Sequence, residues 1–182
     1  MRSMAFAAPL LLLTYGILRW IDGLDGHRKG GPAWDLGHVA FFASMAMFAV
    51  IAVVLFRRTR MGRRLAGVAA VAAVFGAGCF LWVIAGDLSD GFRQRWPLPA
   101  SLEIAGPLLF VLGMVVLLSL QVAAGRVPVW SPLLLFVGYA AISVNLDLLP
   151  FAALAVLAAT MPLGRPVPAP QRRPVAAASR LH

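Results

Sequence analysis

Apolar residues occur in long runs along this chain, and short polar stretches separate them. The clearest run extends from Leu36 to Phe56, where only His38 is able to carry a charge. A helix needs roughly 20 apolar residues to cross the hydrocarbon core of a bilayer. This run therefore predicts a membrane-spanning helix.

The same pattern recurs and predicts an all-α, polytopic membrane bundle of about six helices. The predicted spans are residues 4–20, 36–56, 65–85, 102–122, 129–144 and 148–163. The third is rich in Ala and Gly, including Gly76 and Gly78, which lets a neighbouring helix approach closely. One transmembrane domain, 1–163, is expected, followed by a basic Pro/Ala/Arg-rich tail, 164–182, whose composition predicts disorder.

The last apolar stretch, residues 129–163, has two interpretations. It is too long for one ordinary span and short for two, and Asn145, Asp147 and Pro150 interrupt its middle. Proline suits the start of a new helix, where its missing N–H costs nothing. A tight helical hairpin is expected, with Asn145 and Asp147 in the turn. The alternative is a single long tilted helix, in which those polar residues would lie inside the membrane and be functional by default.

The distribution of charge orients the spans. Five arginines, with no acid nearby, follow the second span: Arg57, Arg58, Arg60, Arg63 and Arg64. The positive-inside rule assigns such a loop to the cytoplasm. With alternating spans, both termini are cytoplasmic and all seven acidic residues fall on the outer side. Six spans therefore separate the charges cleanly, whereas five would place the tail arginines outside.

Composition narrows the class of protein further. Hydrophobic residues make up 61% of the chain and charged residues 13%, whereas soluble domains average about 25% charged. The net charge of +9 does not indicate nucleic-acid binding, because the basic residues lie in loops and a tail between apolar runs. The expected partners are the lipid bilayer, anionic lipids at the cytoplasmic face and a second membrane protein. Abundant Ala, Val, Leu, Gly, Pro and Arg favour a bacterial plasma membrane protein.

Candidate chemistry lies at the outer side. Pairs of residues three apart, which share a helix face, are Asp22/Asp25, Asp35/His38 and Asp87/Asp90. The candidate site residues are Asp35, His38, Asp87, Asp90 and Glu103. Such a cluster could bind a cation, relay protons, or act as acid and base on a lipid head group. The alternative, that these acids are simply solvated at the ends of spans, stays open.

His38 is expected about one turn into the second span, with Asp35 as its carboxylate partner. No cofactor or metal is expected: Cys79 is the single cysteine, which rules out a multi-cysteine metal site. A haem would need ligands from facing helices, and His27 lies in a loop. No GxSxG, HExxH, Walker A or GxGxxG motif is present, and whether the protein is an enzyme stays open.

Residues 1–120 resemble the VanZ-like family, small bacterial membrane proteins linked to glycopeptide resistance. The residues that carry the resemblance are Asp35, His38, Phe42, Asp90, Gln94, Pro97 and Glu103. The departures from the family pattern are a spacing from Asp35 to His38 that is one residue short, Leu36 in place of Lys, and Gly106 in place of Asn. The resemblance implies a non-enzymatic envelope factor. A subunit of a larger membrane complex, and an enzyme or carrier acting on a lipid head group or cation at the outer face, are the other hypotheses.

Overall fold

The computed structural model describes residues 2–24 and 30–164, and within these ranges every regular element is a helix. The helices are α1 (Arg2–Asp22), α2 (Pro32–Arg58), α3 (Arg63–Leu88), α4 (Asp90–Arg95), α5 (Ala100–Ala123), α6 (Trp130–Val144) and α7 (Leu149–Thr160). Short 3₁₀ turns, Leu146–Leu148 and Met161–Gly164, flank α7. The predicted all-helical class is confirmed for the described residues.

Six of the helices form a ring. Its order is α1, α2, α3, α5, α6 and α7, and α7 packs back against α1. Helix α2 also touches α5 across the interior, and α4 is a short helix that lies against α3. Fully buried Met45, Phe48, Phe110 and Met114 belong to the core of this ring.

Five segments are long and apolar enough to cross a membrane, which supports a membrane-embedded protein. They are α1, α2, α3, α5 and the continuous helical segment Leu146–Gly164. Helix α6 is also apolar but has 15 residues, which give about 22 Å at 1.5 Å per residue. The hydrocarbon core is about 30 Å thick. Outward-facing side chains such as Val68 and Val71, both 70% exposed, suit contact with lipid.

The chain breaks at Asn145, in the middle of the last apolar stretch. Asn145 ends α6, and its side-chain oxygen accepts a hydrogen bond from the backbone N–H of Asp147 at 2.8 Å. Pro150 then occupies the first turn of α7. The alternative of one long helix through Asn145 is therefore wrong, and the two polar residues lie in the turn between helices.

Small residues bring α3 and α5 close together. A side-chain carbon added at Gly76 would collide with the carbonyl oxygen of Gly106, and one added at Gly113 would collide with the carbonyl oxygen of Ala69. Helices in lipid associate through close backbone approach of this kind, because the hydrophobic effect does not drive their association there. The prediction of close packing is confirmed at Gly76, whereas Gly78 faces open space.

The end of the bundle that holds the α2–α3 arginines is tied together by a buried amide. Gln121 of α5 donates to the hydroxyl of Thr59 at 2.9 Å and accepts from Arg126 at 3.0 Å. The same guanidinium nitrogen of Arg126 donates to the carbonyl oxygen of Arg58 at 2.7 Å. These bonds fix the α2–α3 turn to the end of α5, because a buried polar group must find partners.

The helix bounds differ from the predicted spans at several places. Helix α2 begins at Pro32 and α3 ends at Leu88, so both extend past their predicted outer ends. The stretch 86–101, predicted to be a loop, contains α4. Gly164, assigned to the tail, belongs to a 3₁₀ turn; the rest of the tail, 165–182, lies outside the described residues, as do Asp25 and His27.

Candidate functional site

His38 lies at the acidic end of the bundle, which holds the acidic residues of α1, α2, α3 and α5. It occupies the second turn of α2, is 2% exposed, and its Nδ1 atom is 2.8 Å from the carbonyl oxygen of Trp34. A carbonyl oxygen only accepts hydrogen bonds. Nδ1 therefore carries a proton and donates it, which leaves Nε2 to face the interior of the site.

Nε2 of His38 faces Asp87, at the end of α3. The distance from Nε2 to Oδ2 of Asp87 is 3.7 Å, which is longer than a direct hydrogen bond but within the span of an ion pair. The other carboxylate oxygen of Asp87 accepts from the guanidinium of Arg93, on α4. Asp87 thus connects three helices through one carboxylate.

The expected pairing of Asp35 with His38 is wrong. The Asp35 side chain is exposed, and within residues 2–24 and 30–164 it has no hydrogen bond or ion pair. Residues three apart on a helix are about 60° apart around its axis. Here the boundary between the buried and exposed faces of α2 falls between them, so His38 points inward and Asp35 outward.

Aromatic rings enclose the imidazole. Trp34 is 4.0 Å from His38 between ring centroids, and Tyr15 of α1 meets it edge-on at 5.2 Å. Phe41 stacks on Tyr15 at 4.6 Å. Sequence reasoning missed Tyr15 and Trp34; for Trp34 a signal existed, since it lies four residues before His38 and thus on the same helix face.

Local sequence explains why α4 forms beside Asp87. Ser89 adopts an extended backbone and its hydroxyl accepts from the N–H of Phe92 at 3.3 Å, which caps the start of α4. The indole N–H of Trp82 donates to the carbonyl oxygen of Trp96 at 2.9 Å, just after α4 ends. This bond and the Asp87–Arg93 ion pair hold α4 against α3. Arg93 is a site residue that the sequence did not single out.

A cavity of about 440 Å³ lies between α3, α4 and α5. Its charged lining residues are Asp87, Arg93 and Glu103. Its aromatic lining residues are Phe80, Trp82, Phe92 and Trp96, and Cys79 and Pro107 also line it. Cys79 lies nine residues before the end of α3, so the cavity reaches about 13 Å along that helix.

The structure thus brings together part of the predicted set. Asp87 and Glu103 line the same cavity, and His38 reaches it only through Asp87. Asp90, the first residue of α4, is exposed and does not line the cavity. Within the described residues, no group of three His, Cys, Asp or Glu side chains could hold a metal ion.

An apolar groove of about 420 Å³ lies beside the cavity, on the α2 side of α4. Its lining residues are Val39, Phe42, Ala85, Leu88, Ser89 and Phe92. Phe92 lines both spaces, so the charged cavity and the apolar groove are adjacent. The charged cavity and the apolar groove thus lie side by side, and helices long and apolar enough to span a membrane contribute to both.

Comparison with protein-family models, with curated proteins and with solved structures gave no match. The geometry of the acidic end therefore supplies the support for a function.

Proposed function

We propose that this is a small bacterial envelope protein of the plasma membrane that binds an amphiphilic ligand at its acidic end, without transforming it. The observation that carries the proposal is the cavity in which Asp87, Arg93 and Glu103 meet aromatic walls. Binding sites for small molecules are mostly apolar clefts of about 300–1,000 Å³ with a few placed polar groups. The cavity has that size and composition.

The charged groups support a binding role because they lie together at one cavity. Asp87 is the second-last residue of α3, a helix long and apolar enough to span, and its side chain is only partly exposed. An amphiphile suits this cavity, since its head group could meet the charges while its chain stays against apolar surface.

The proposed topology has six spans with both termini in the cytoplasm, and α6 is the short span. Reporters fused after Arg60 and after Arg126, and at the carboxyl terminus, are expected to read cytoplasmic. A reporter within residues 90–99 is expected to read external. An external carboxyl terminus would contradict the six-span arrangement and leave α6 as a helix that does not cross.

This function accords with the VanZ-like resemblance, which implies a non-enzymatic envelope factor. The arginines at the cytoplasmic ends are proposed to contact anionic lipids, because each basic residue near such a surface contributes about 1 kcal/mol. A membrane-protein partner is proposed to meet the lipid-facing surface.

The test fills the cavity. Val83 lines it, and Val83→Trp adds an indole there. Val71→Trp makes the same change on the lipid-facing side of α3, where Val71 is 70% exposed. Phospholipids retained by the full-length protein in a maltoside detergent are counted by native mass spectrometry. Loss of a retained lipid in Val83→Trp alone supports the proposal, and equal retention in both variants contradicts it.

A second candidate is an enzyme or carrier at the same site. The observation in its favour is that His38 and Asp87 face each other, as an acid–base pair would. Replacing both residues with Ala distinguishes the candidates. Retained lipid binding with a lost cellular phenotype favours catalysis, whereas joint loss of both favours binding.

A further inference from the structure

We infer that the ligand's head group carries an ammonium cation, as in phosphatidylethanolamine or phosphatidylcholine. This inference rests on the proposed function and names the class of ligand for the same cavity. Its basis is the set of charged and aromatic side chains that line the cavity.

Arg93 and Asp87 neutralise each other. The guanidinium of Arg93 donates to one oxygen of Asp87, and the other oxygen of that carboxylate faces Nε2 of His38. The two charges cancel, so the pair adds no net charge to the cavity. The guanidinium has further N–H groups, which could meet the phosphate that an ammonium phospholipid also carries.

Glu103 is the charge that remains. It lies in the first turn of α5 and lines the cavity. Its side chain has no hydrogen bond or ion pair to any other residue in the described ranges. The cavity as a whole therefore carries one uncompensated negative charge. That charge favours a head group that includes a cation over a head group whose only charge is negative.

The aromatic walls favour the same kind of ligand. Trp82 and Trp96 both line the cavity, and their indole faces attract cations. The N–H of Trp82 is already donated to the carbonyl of Trp96, so it is not available to bind an anion. A cavity lined by both a carboxylate and tryptophan rings is suited to primary and quaternary ammonium groups.

The adjacent apolar groove indicates that the ammonium belongs to a lipid and not to a free amine. Of the six residues that line the groove, Ser89 is polar and the other five are apolar. Phe92 lines both the groove and the cavity, so the two spaces are adjacent. A head group in the cavity would thus place an acyl chain within reach of a groove that water does not favour.

The experiment compares lipids with matched acyl chains. Phosphatidylethanolamine, phosphatidylcholine and phosphatidylglycerol are titrated separately onto the full-length protein in maltoside detergent, and binding is measured by native mass spectrometry. Phosphoethanolamine, a head group without chains, forms a fourth arm. The wild type is expected to prefer the two ammonium lipids over phosphatidylglycerol about threefold to tenfold, and to bind phosphoethanolamine far more weakly.

Two variants locate the preference. Glu103→Gln should abolish the preference for ammonium lipids while the cavity stays open. Asp35→Asn removes one negative charge at the same end of the protein, outside the cavity, and should keep the preference. Val83→Trp should lower the binding of all three lipids.

The outcomes separate the two claims. Equal binding of all three lipids by the wild type, with loss in Val83→Trp, would overturn the ammonium inference and leave the binding function in place. A preference that survives in Glu103→Gln would also overturn it. Phosphoethanolamine binding as strong as the lipid would overturn the assignment to a lipid. If Val83→Trp binds every lipid as the wild type does, the proposed function itself fails.

Discussion

Replacing Gly113 with alanine tests the close packing of α3 and α5. These two helices form walls of the cavity. A Cβ atom added at Gly113 would lie 2.7 Å from the backbone nitrogen of Ala73 and 2.9 Å from its Cβ, with the carbonyl oxygen of Ala69 closer still. Carbon atoms in ordinary contact are about 3.5–4.0 Å apart. The two helices must therefore separate by roughly 1 Å to accept one methyl group.

The expected cost is about 1–3 kcal/mol of unfolding free energy, the usual range for overpacking a tight interior. Two of the atoms that block the new methyl group belong to backbone, so a side-chain rotation cannot relieve the contact. Gly78→Ala is the matched control, because it lies on α3 and no heavy atom is within 4 Å of its added carbon. That variant should be neutral or gain up to about 1 kcal/mol from reduced backbone entropy.

The assay is reversible unfolding of the full-length protein in mixed micelles of dodecyl sulfate and a maltoside detergent, followed by circular dichroism. Gly113→Ala should unfold at a lower dodecyl sulfate fraction than the wild type, and Gly78→Ala should not. If the two variants unfold at the same fraction, α3 and α5 do not approach as closely as described, and the cavity between them is shaped differently.

Two further predictions concern polar contacts. In ¹⁵N NMR spectra, Asp87→Asn should shift the Nε2 resonance of His38 because it changes the group that faces Nε2, whereas Asp35→Asn should leave it in place; the reverse result would restore the pairing with Asp35. Gln121→Leu should lower the unfolding free energy by about 1–3 kcal/mol, since buried partners lose their hydrogen bonds, and Gln94→Leu on an exposed face should change it little. If the two leucine variants lower the unfolding free energy equally in the same micelle assay, the result would contradict the hydrogen bonds described for Gln121.

The helical class could be predicted because few backbone conformations are stable in a membrane. In lipid each backbone polar group must be satisfied within the segment, so long apolar runs become helices. The break at Asn145 was also visible, because an Asx side chain and a following proline mark a turn and a new helix start. The number of spans was harder to predict from the sequence. Helix α6 has 15 residues, which is fewer than an ordinary membrane-spanning helix has.

The site was only partly visible in the sequence. The charge distribution predicts that Asp87 and Glu103 lie on the same side of the membrane, and the structure brings both to one cavity. The partner of His38 could not be predicted, because it depends on how α2 packs against α3, which local spacing does not encode. The role of Arg93 depends on α4, whose six residues are too few for a periodic pattern to indicate a helix.

The central claim, that a lipid head group occupies the cavity between α3, α4 and α5, is tested most directly by photo-crosslinking. A phosphatidylethanolamine with a diazirine on the first carbons of one acyl chain is added to the full-length protein, and crosslinked peptides are mapped by mass spectrometry. Crosslinks should concentrate in residues 79–107 and at Val39 and Phe42 of the groove, and they should fall in Val83→Trp. Crosslinks spread evenly over lipid-facing surface, as frequent in residues 65–75 as in residues 79–107, would contradict the account.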